Sequence, residues 1–94
     1  MNGYFTTLTD RLTIEEIEVL NILSSNFVNS RFSAWKKRDL FENSNVSEAN
    51  FRKIIYRLEA VNFVEIVAGN KEHLIYINEY GLEAINSIYE RRSI

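Results

Sequence analysis

One segment of the sequence carries basic, amide and aromatic side chains at the spacing of a single helix face. At about 100° per residue, residues 47–62 turn an apolar stripe to one side and a polar cluster to the other. The stripe consists of Phe51, Ile54, Ile55 and Leu58. The cluster consists of Asn50, Arg52, Lys53, Tyr56 and Arg57, with the small residues Ala49 and Ala60 among them. Cations and amides hydrogen bond to phosphate oxygens and to base edges, so this face is a candidate nucleic-acid-binding surface.

The positive charge of the chain lies in the same region. Over the whole chain, 11 basic and 13 acidic side chains give a net charge of −2. Residues 31–57 nevertheless hold seven basic and three acidic side chains, whereas the segments before and after them are each net negative. An approaching phosphate responds to the local field rather than to the total charge. The charge distribution therefore favours an anionic partner for this third of the chain.

Composition argues against several other functions. The 94 residues are enough for one small domain with one core. There is no cysteine and only one histidine, His73, so a disulfide is excluded and a structural zinc site is not expected. No glycine-rich phosphate loop is present, and no nucleophile stands at motif spacing from a catalytic partner. We predict a protein that is not an enzyme and that uses no cofactor and no metal.

The sequence also gives no sign of a membrane or secretory segment. No run of about 18 apolar residues occurs, as a membrane-spanning helix would require. The first residues, MNGYFTTLTDR, lack the basic and then apolar pattern of a signal peptide. We therefore expect a cytoplasmic protein.

The chain begins with an N-terminal arm, residues 1–12, for which we expect a loose segment or a short strand. The elements that position the basic face follow it. Thr13 and Glu16 have the capping-box spacing that starts a helix, and residues 13–94 then form a single domain. The predicted inward positions of this first helix are Ile14, Ile17, either Leu20 or Asn21, and Phe27, with Leu23 beside them.

The segment from 27 to 35 is ambiguous, because it fits either a short strand or an early start of the second helix capped by Ser33. Trp35 is predicted to pack against the core. The second helix should span about 36–43, with Leu40 facing inward. Its first residues, Lys36-Lys37-Arg38, oppose the helix dipole. A phosphate neighbour would explain this run, and so would simple solvation.

After a short turn, Ser47 is the predicted N-cap of the two-faced helix, which should end near Asn62. Two strands, 64–68 and 74–78, are predicted to form a hairpin. Asn78 should cap the last helix, about 79–92, and Gly81 should leave space for a close crossing. The predicted fold class is α+β, mainly α.

This order of elements resembles a winged helix-turn-helix of the MarR and PadR kind. The residues that match the pattern of those regulators are Asp39-Leu40, Val46-Ser47, Phe51, Leu58-Glu59, Phe63-Val64 and the segment from Ile77 to Gly81. The resemblance covers about residues 37–85. It implies a helix-turn-helix over about 36–62, a wing over about 63–78 and a C-terminal helix over about 79–92.

The chain departs from the pattern in two residues and in its length. Asn62 stands where the family has Gly, and Asn78 where it often has Thr; both can serve the same backbone role. The chain lacks the longer flanking helices through which many such proteins dimerise and bind ligands, which argues against a small-molecule effector. We expect a homodimer formed through the C-terminal helix, the outer face of the wing, or both.

The function predicted from these features is sequence-specific binding to double-stranded DNA by a small transcriptional regulator. The two-faced helix would lie in the major groove. Phosphates would be bound by Lys36, Lys37 and Arg57, with Lys71 at the wing tip reaching the flanking backbone or minor groove. The predicted residues of the base-reading helix are Ser47, Asn50, Arg52, Lys53 and Tyr56.

A second interpretation is a winged-helix module that binds protein and not DNA, as an adaptor, antirepressor or assembly subunit. It is favoured by the acidic flanks of the chain and by the apolar outer face predicted for the hairpin. The two interpretations differ in the role of the basic face of helix 47–62. Its positive charge is required for DNA binding in the first interpretation and not for protein binding in the second.

Overall fold

The computed structural model describes residues 9–69 and 71–92, with four helices and a three-stranded antiparallel sheet among them. A 3-10 turn at Arg31–Ser33 precedes the first strand. In chain order the elements are α1 (Ile14–Ser25), β1 (Trp35–Lys36), α2 (Lys37–Asn43), α3 (Glu48–Ala60), β2 (Val64–Ala68), β3 (His73–Ile77) and α4 (Glu79–Arg92). The predicted mainly helical fold with a helix-turn-helix and a wing is confirmed.

The wing is larger than the predicted two-stranded hairpin. Strand β3 lies between β2 and β1, with Ile75 opposite Ile66 on one side and opposite Trp35 on the other. The short strand β1 settles the ambiguity of residues 27–35, and Trp35 packs half-buried against the core as expected. Strand β1 therefore ties the start of α2 to the wing.

One core fills the space between the helices and the inner face of the sheet. Phe63, on the short connection from α3 to β2, is among its largest fully buried side chains. The remaining core residues are Ile17, Val19, Leu20, Leu23, Val28, Leu40, Phe51, Ile54, Ile55, Leu58, Val64, Ile75, Ile77, Ala84, Ile85 and Ile88. The apolar stripe predicted for α3 is thus buried in full.

Helix α1 begins as predicted but differs at two inward positions. The capping box is present, with Thr13 Oγ1 accepting from the Glu16 amide at 3.1 Å. Ile14, in the first turn, points to solvent and is 77% exposed. Phe27 follows the C-cap in a left-handed conformation (φ 58°) and is 75% exposed. The neighbouring Val28 occupies the core in its place, because the turn reverses the chain direction at Phe27.

The start of α4 packs tightly against the end of α3. Asn78 caps α4, accepting from the Gly81 amide at 2.9 Å, and its side-chain amide donates to the Asn62 carbonyl at 2.9 Å. Asn62 adopts a left-handed conformation (φ 64°), which is the backbone role expected of it in place of Gly. A Cβ atom at Gly81 would overlap the carbonyl oxygen of Phe63 and lie 2.6 Å from Cγ1 of Ile77. Gly81 is therefore required for close approach, as predicted.

The first described residues, Thr9 and Asp10, have helical backbone, which differs from the loose segment or strand expected for the N-terminal arm. The rest of that arm, residues 1–8, lies outside the described part. None of the described helices is both long and apolar enough to cross a membrane.

Candidate nucleic-acid interface

The cap and the packing of α3 fix its rotation about the helix axis. This orientation determines which side chains of α3 face outward. The Ser47 hydroxyl caps the helix, accepting from the Asn50 amide at 3.3 Å. Phe51 packs edge-on against Phe41 of α2, with 5.3 Å between the ring centroids. Because the apolar stripe is buried, the opposite face must lie at the surface.

That opposite face carries the side chains predicted from the sequence to bind DNA. Tyr56 is 76% exposed. The other predicted binding residues on this helix and its cap are also exposed: Ser47, Asn50, Arg52, Lys53 and Arg57. The remaining exposed positions of the helix are Glu48, Ala49, Glu59 and Ala60. The face thus combines hydrogen-bond donors, positive charge and an aromatic ring, with no large aliphatic side chain among them.

The start of α2 extends the same surface toward the wing. A groove of about 390 Å³ lies between α3 and the wing, and Lys37 is on its wall together with Arg52 and Tyr56. Two recesses of similar size beside it are both lined in part by Arg38, and one of them also by Lys36. The structure therefore brings the basic run at residues 36–38 next to the outward face of α3. Lys71 lies in the turn of the wing and is exposed.

Several side chains of this surface were not among the predicted binding residues, among them Glu59 in the groove and Glu72 in a recess. His73, the first residue of β3, lines the groove beside Lys37 and Arg52. Arg38 and Glu48 line the recess between α2 and α3. Arg38 could have been identified from the sequence, because it belongs to the basic run. Glu48 could also have been identified, because it lies four residues before Arg52 on the same helix. No sequence signal brings His73 next to α3, because that contact depends on the sheet.

Two cations of the surface are paired with exposed carboxylates. Arg52 lies 2.9 Å from Glu48 Oε1, one helical turn earlier on α3. Lys36 lies 3.2 Å from Glu72 Oε2 in the wing. By contrast, Lys37 and Lys53 make no ion pair with a carboxylate of the described residues. The cations of this surface thus fall into a paired and an unpaired group.

Arg57 is paired in a different way, with a buried carboxylate. Its Nε lies 3.2 Å from Oε2 of Glu16, whose side chain is 1% exposed. The other oxygen, Oε1, accepts from the Thr13 amide at 2.8 Å. Oε2 makes no hydrogen bond within the described residues, so its burial is offset by the adjacent positive charge rather than by a directed bond. Arg57 therefore connects α3 to the start of α1, while its side chain remains 55% exposed.

The outer face of the wing is partly apolar. Val67, Leu74 and Tyr76 are half-buried there, next to the exposed Glu65. Burial raises the pKa of the Tyr76 phenol, and the charge of Glu65 and its hydrogen bond raise it further, against a smaller opposing effect of Arg31.

Most of the apolar stripe of the C-terminal helix is buried in the core of the chain. Ala84, Ile85 and Ile88 are buried in the core, and only the rings of Tyr80 and Tyr89 are about half exposed. Among the described residues, no group of three or more acidic or histidine side chains is placed to hold a metal ion.

Comparison with known proteins identifies relatives of the whole chain. The DNA-binding protein TubR of Priestia megaterium is 41% identical over 85 residues, which are 90% of this chain and 84% of TubR. The solved structure of TubR from Bacillus megaterium pBM400 superposes with a TM-score of 0.89 at 39% identity, covering 94% of this chain and 98% of that one.

More distant structures share the fold. MarR from E. coli, in its oxidized form, has a TM-score of 0.70 at 17% identity, covering 95% of this chain and 60% of that protein. The predicted resemblance to MarR-type winged helices is therefore confirmed at the level of the fold. No protein-family model matches the sequence. The identity and coverage shared with TubR are those of homologues, so the chain belongs to the TubR family.

Proposed function

We propose that the protein binds double-stranded DNA in a sequence-specific manner and acts as a small transcriptional regulator. One observation carries this proposal: the exposed face of α3 is basic and polar and is continuous with the basic start of α2, while its opposite face fills the core. The relationship to the DNA-binding protein TubR supports it.

In this proposal the outward face of α3 lies in the major groove, with its N-terminal half nearest the bases. Asn50 is suited to adenine, and Arg52 to guanine, because each side chain offers two hydrogen bonds in the matching geometry. Lys53 and Tyr56 contact base edges farther along the helix. The residues assigned to phosphates are Lys36, Lys37, Arg57 and, at the wing tip, Lys71.

The proposal predicts a strong salt dependence of DNA binding. A labelled random-sequence duplex, titrated with the protein and followed by fluorescence anisotropy, should bind at about 50 mM salt. With about four phosphate contacts, the affinity of a single subunit should fall on the order of 100-fold by 200 mM salt, and that of a dimer with about eight contacts on the order of 10⁴-fold. Absence of binding at low salt by the folded protein would refute DNA binding and favour a protein-binding winged helix.

We further propose that the protein acts as a homodimer, because one small winged helix has a short footprint and paired half-sites extend it. Two surfaces are candidates: the outer wing face with Leu74, and the C-terminal helix with Tyr80. Sedimentation equilibrium should give twice the 11.1 kDa chain mass. Of Leu74→Lys and Tyr80→Lys, the variant that yields the single-chain mass identifies the interface. A wild-type protein that sediments as a single chain at about 100 μM would contradict dimerisation.

The same proposal assigns the protein no catalytic activity and no cofactor. A regulator of this kind works where the cellular DNA lies, so we place it in the cytoplasm. We propose no small-molecule effector.

A further inference from the structure

Carboxylates are part of the surface that we assign to DNA, and they lie beside its cations. Glu48 is in the first turn of α3, and its side chain is 72% exposed. Glu72 is in the wing and is 45% exposed. Each lines a recess of the surface together with the cation to which it is paired, Arg52 for Glu48 and Lys36 for Glu72.

These ion pairs contribute little to folding. The four side chains are 45% to 75% exposed, and exposed pairs stabilise proteins by less than about 1 kcal/mol. Glu48 also interacts favourably with the dipole of α3, but Ser47 already caps that helix. A structural requirement thus does not account for the placement of Glu48 and Glu72 beside cations of this surface. A third carboxylate, Glu59, lines the groove but is in no ion pair with these cations.

The carboxylates have a larger effect on a bound duplex. A phosphate that approaches Arg52 or Lys36 must replace the paired carboxylate, which then remains near the phosphate and repels it. A carboxylate can, however, accept a hydrogen bond from the amino group of cytosine in the major groove. The carboxylates therefore weaken binding to a duplex that offers only its phosphate backbone. They weaken binding less where a duplex presents suitable base edges.

We infer that Glu48 and Glu72 are specificity-determining residues. They weaken the attraction of Arg52 and Lys36 for phosphates, so that random DNA is held less tightly and tight binding requires the matching bases. This inference rests on the proposed DNA binding. Under it, part of the selectivity comes from the two acidic residues and not only from the contacts with bases.

The inference is tested with Glu48→Gln, Glu72→Gln and the double variant. Each substitution keeps the size of the side chain and removes one negative charge. Glu83→Gln is the matched control, because Glu83 is exposed on α4 and makes none of the ion pairs of the surface. Affinity is measured by fluorescence anisotropy at about 50 mM salt for a random duplex and for a duplex selected by the wild-type protein.

The expected result is a gain in random-duplex affinity of about fivefold for each single variant, and more for the double variant. The ratio of selected-site to random affinity should fall, and the gain should shrink as salt is raised. Glu83→Gln should change both affinities by less than about twofold. Variants that behave like Glu83→Gln, or that lose random-duplex affinity, would overturn the inference. Failure of the wild-type protein to bind either duplex would instead refute the proposed function.

Discussion

Replacing Arg52 and Lys53 together by Glu is expected to abolish detectable binding to duplex DNA while leaving the protein folded. Both side chains are exposed on the outward face of α3, and neither is part of the core. The double change converts two attractive charges into two repulsive ones at the centre of the proposed interface. We expect a loss of affinity of at least about 100-fold, measured by fluorescence anisotropy at about 50 mM salt.

A matched comparison separates this local effect from the change in total charge. Arg52→Glu and Arg11→Glu each change the net charge by the same amount, and Arg11 is exposed outside the basic segment 31–57. Arg52→Glu should weaken binding at least about tenfold more than Arg11→Glu. Undiminished affinity in the double variant would show that α3 is not the DNA-binding helix. Equal losses from the two single variants would indicate a general electrostatic effect.

Gly81→Ala is expected to lower the stability of the fold more than any surface change. The added Cβ would overlap the carbonyl oxygen of Phe63, a backbone atom, and press on the fully buried Ile77. Relief requires α4 to shift away from the end of α3, which disturbs the hydrogen bonds of Asn78 to Gly81 and Asn62. We expect a loss of about 3 kcal/mol in the free energy of unfolding, measured by urea denaturation.

Thermal unfolding should show the same effect, with a decrease in Tm of roughly 15 °C for a domain of this size. Asn86→Ala, at an exposed position of α4, serves as the control and should change the stability by less than about 0.5 kcal/mol. Wild-type stability of Gly81→Ala would mean that α4 can move without cost, and that the packing at this junction is not specific.

Much of the fold could be predicted because local patterns specify it. The capping box of Thr13 and Glu16 marks the start of α1, and the apolar stripe of α3 has a helical period. The exposed positions of Ile14 and Phe27 could not be predicted in the same way. Each fits the helical period. Ile14, however, faces solvent from the first turn of α1, and the left-handed backbone at Phe27 directs that side chain outward. Tertiary packing, not periodicity, decides such terminal positions.

The candidate site was predictable to the extent that it lies on one helix. The outward face of α3 follows from the spacing of its own residues. The ion pair of Arg57 with Glu16 joins residues far apart in the sequence, and His73 lines the groove as part of the sheet, where it is paired with Ala68 of β2. Contacts of this kind arise from the relative placement of elements, for which a single sequence gives no periodic signal.

The two-residue strand β1 fixes the distance between the wing and the helix-turn-helix. Its pairing with β3 joins the start of α2 to the sheet, and Lys36 adds an ion pair to the wing. The two parts proposed to contact DNA are therefore joined through the sheet as well as along the chain. We expect a site with an extra base pair between the two contacted segments to bind more weakly, because the duplex would have to bend or twist to reach both parts.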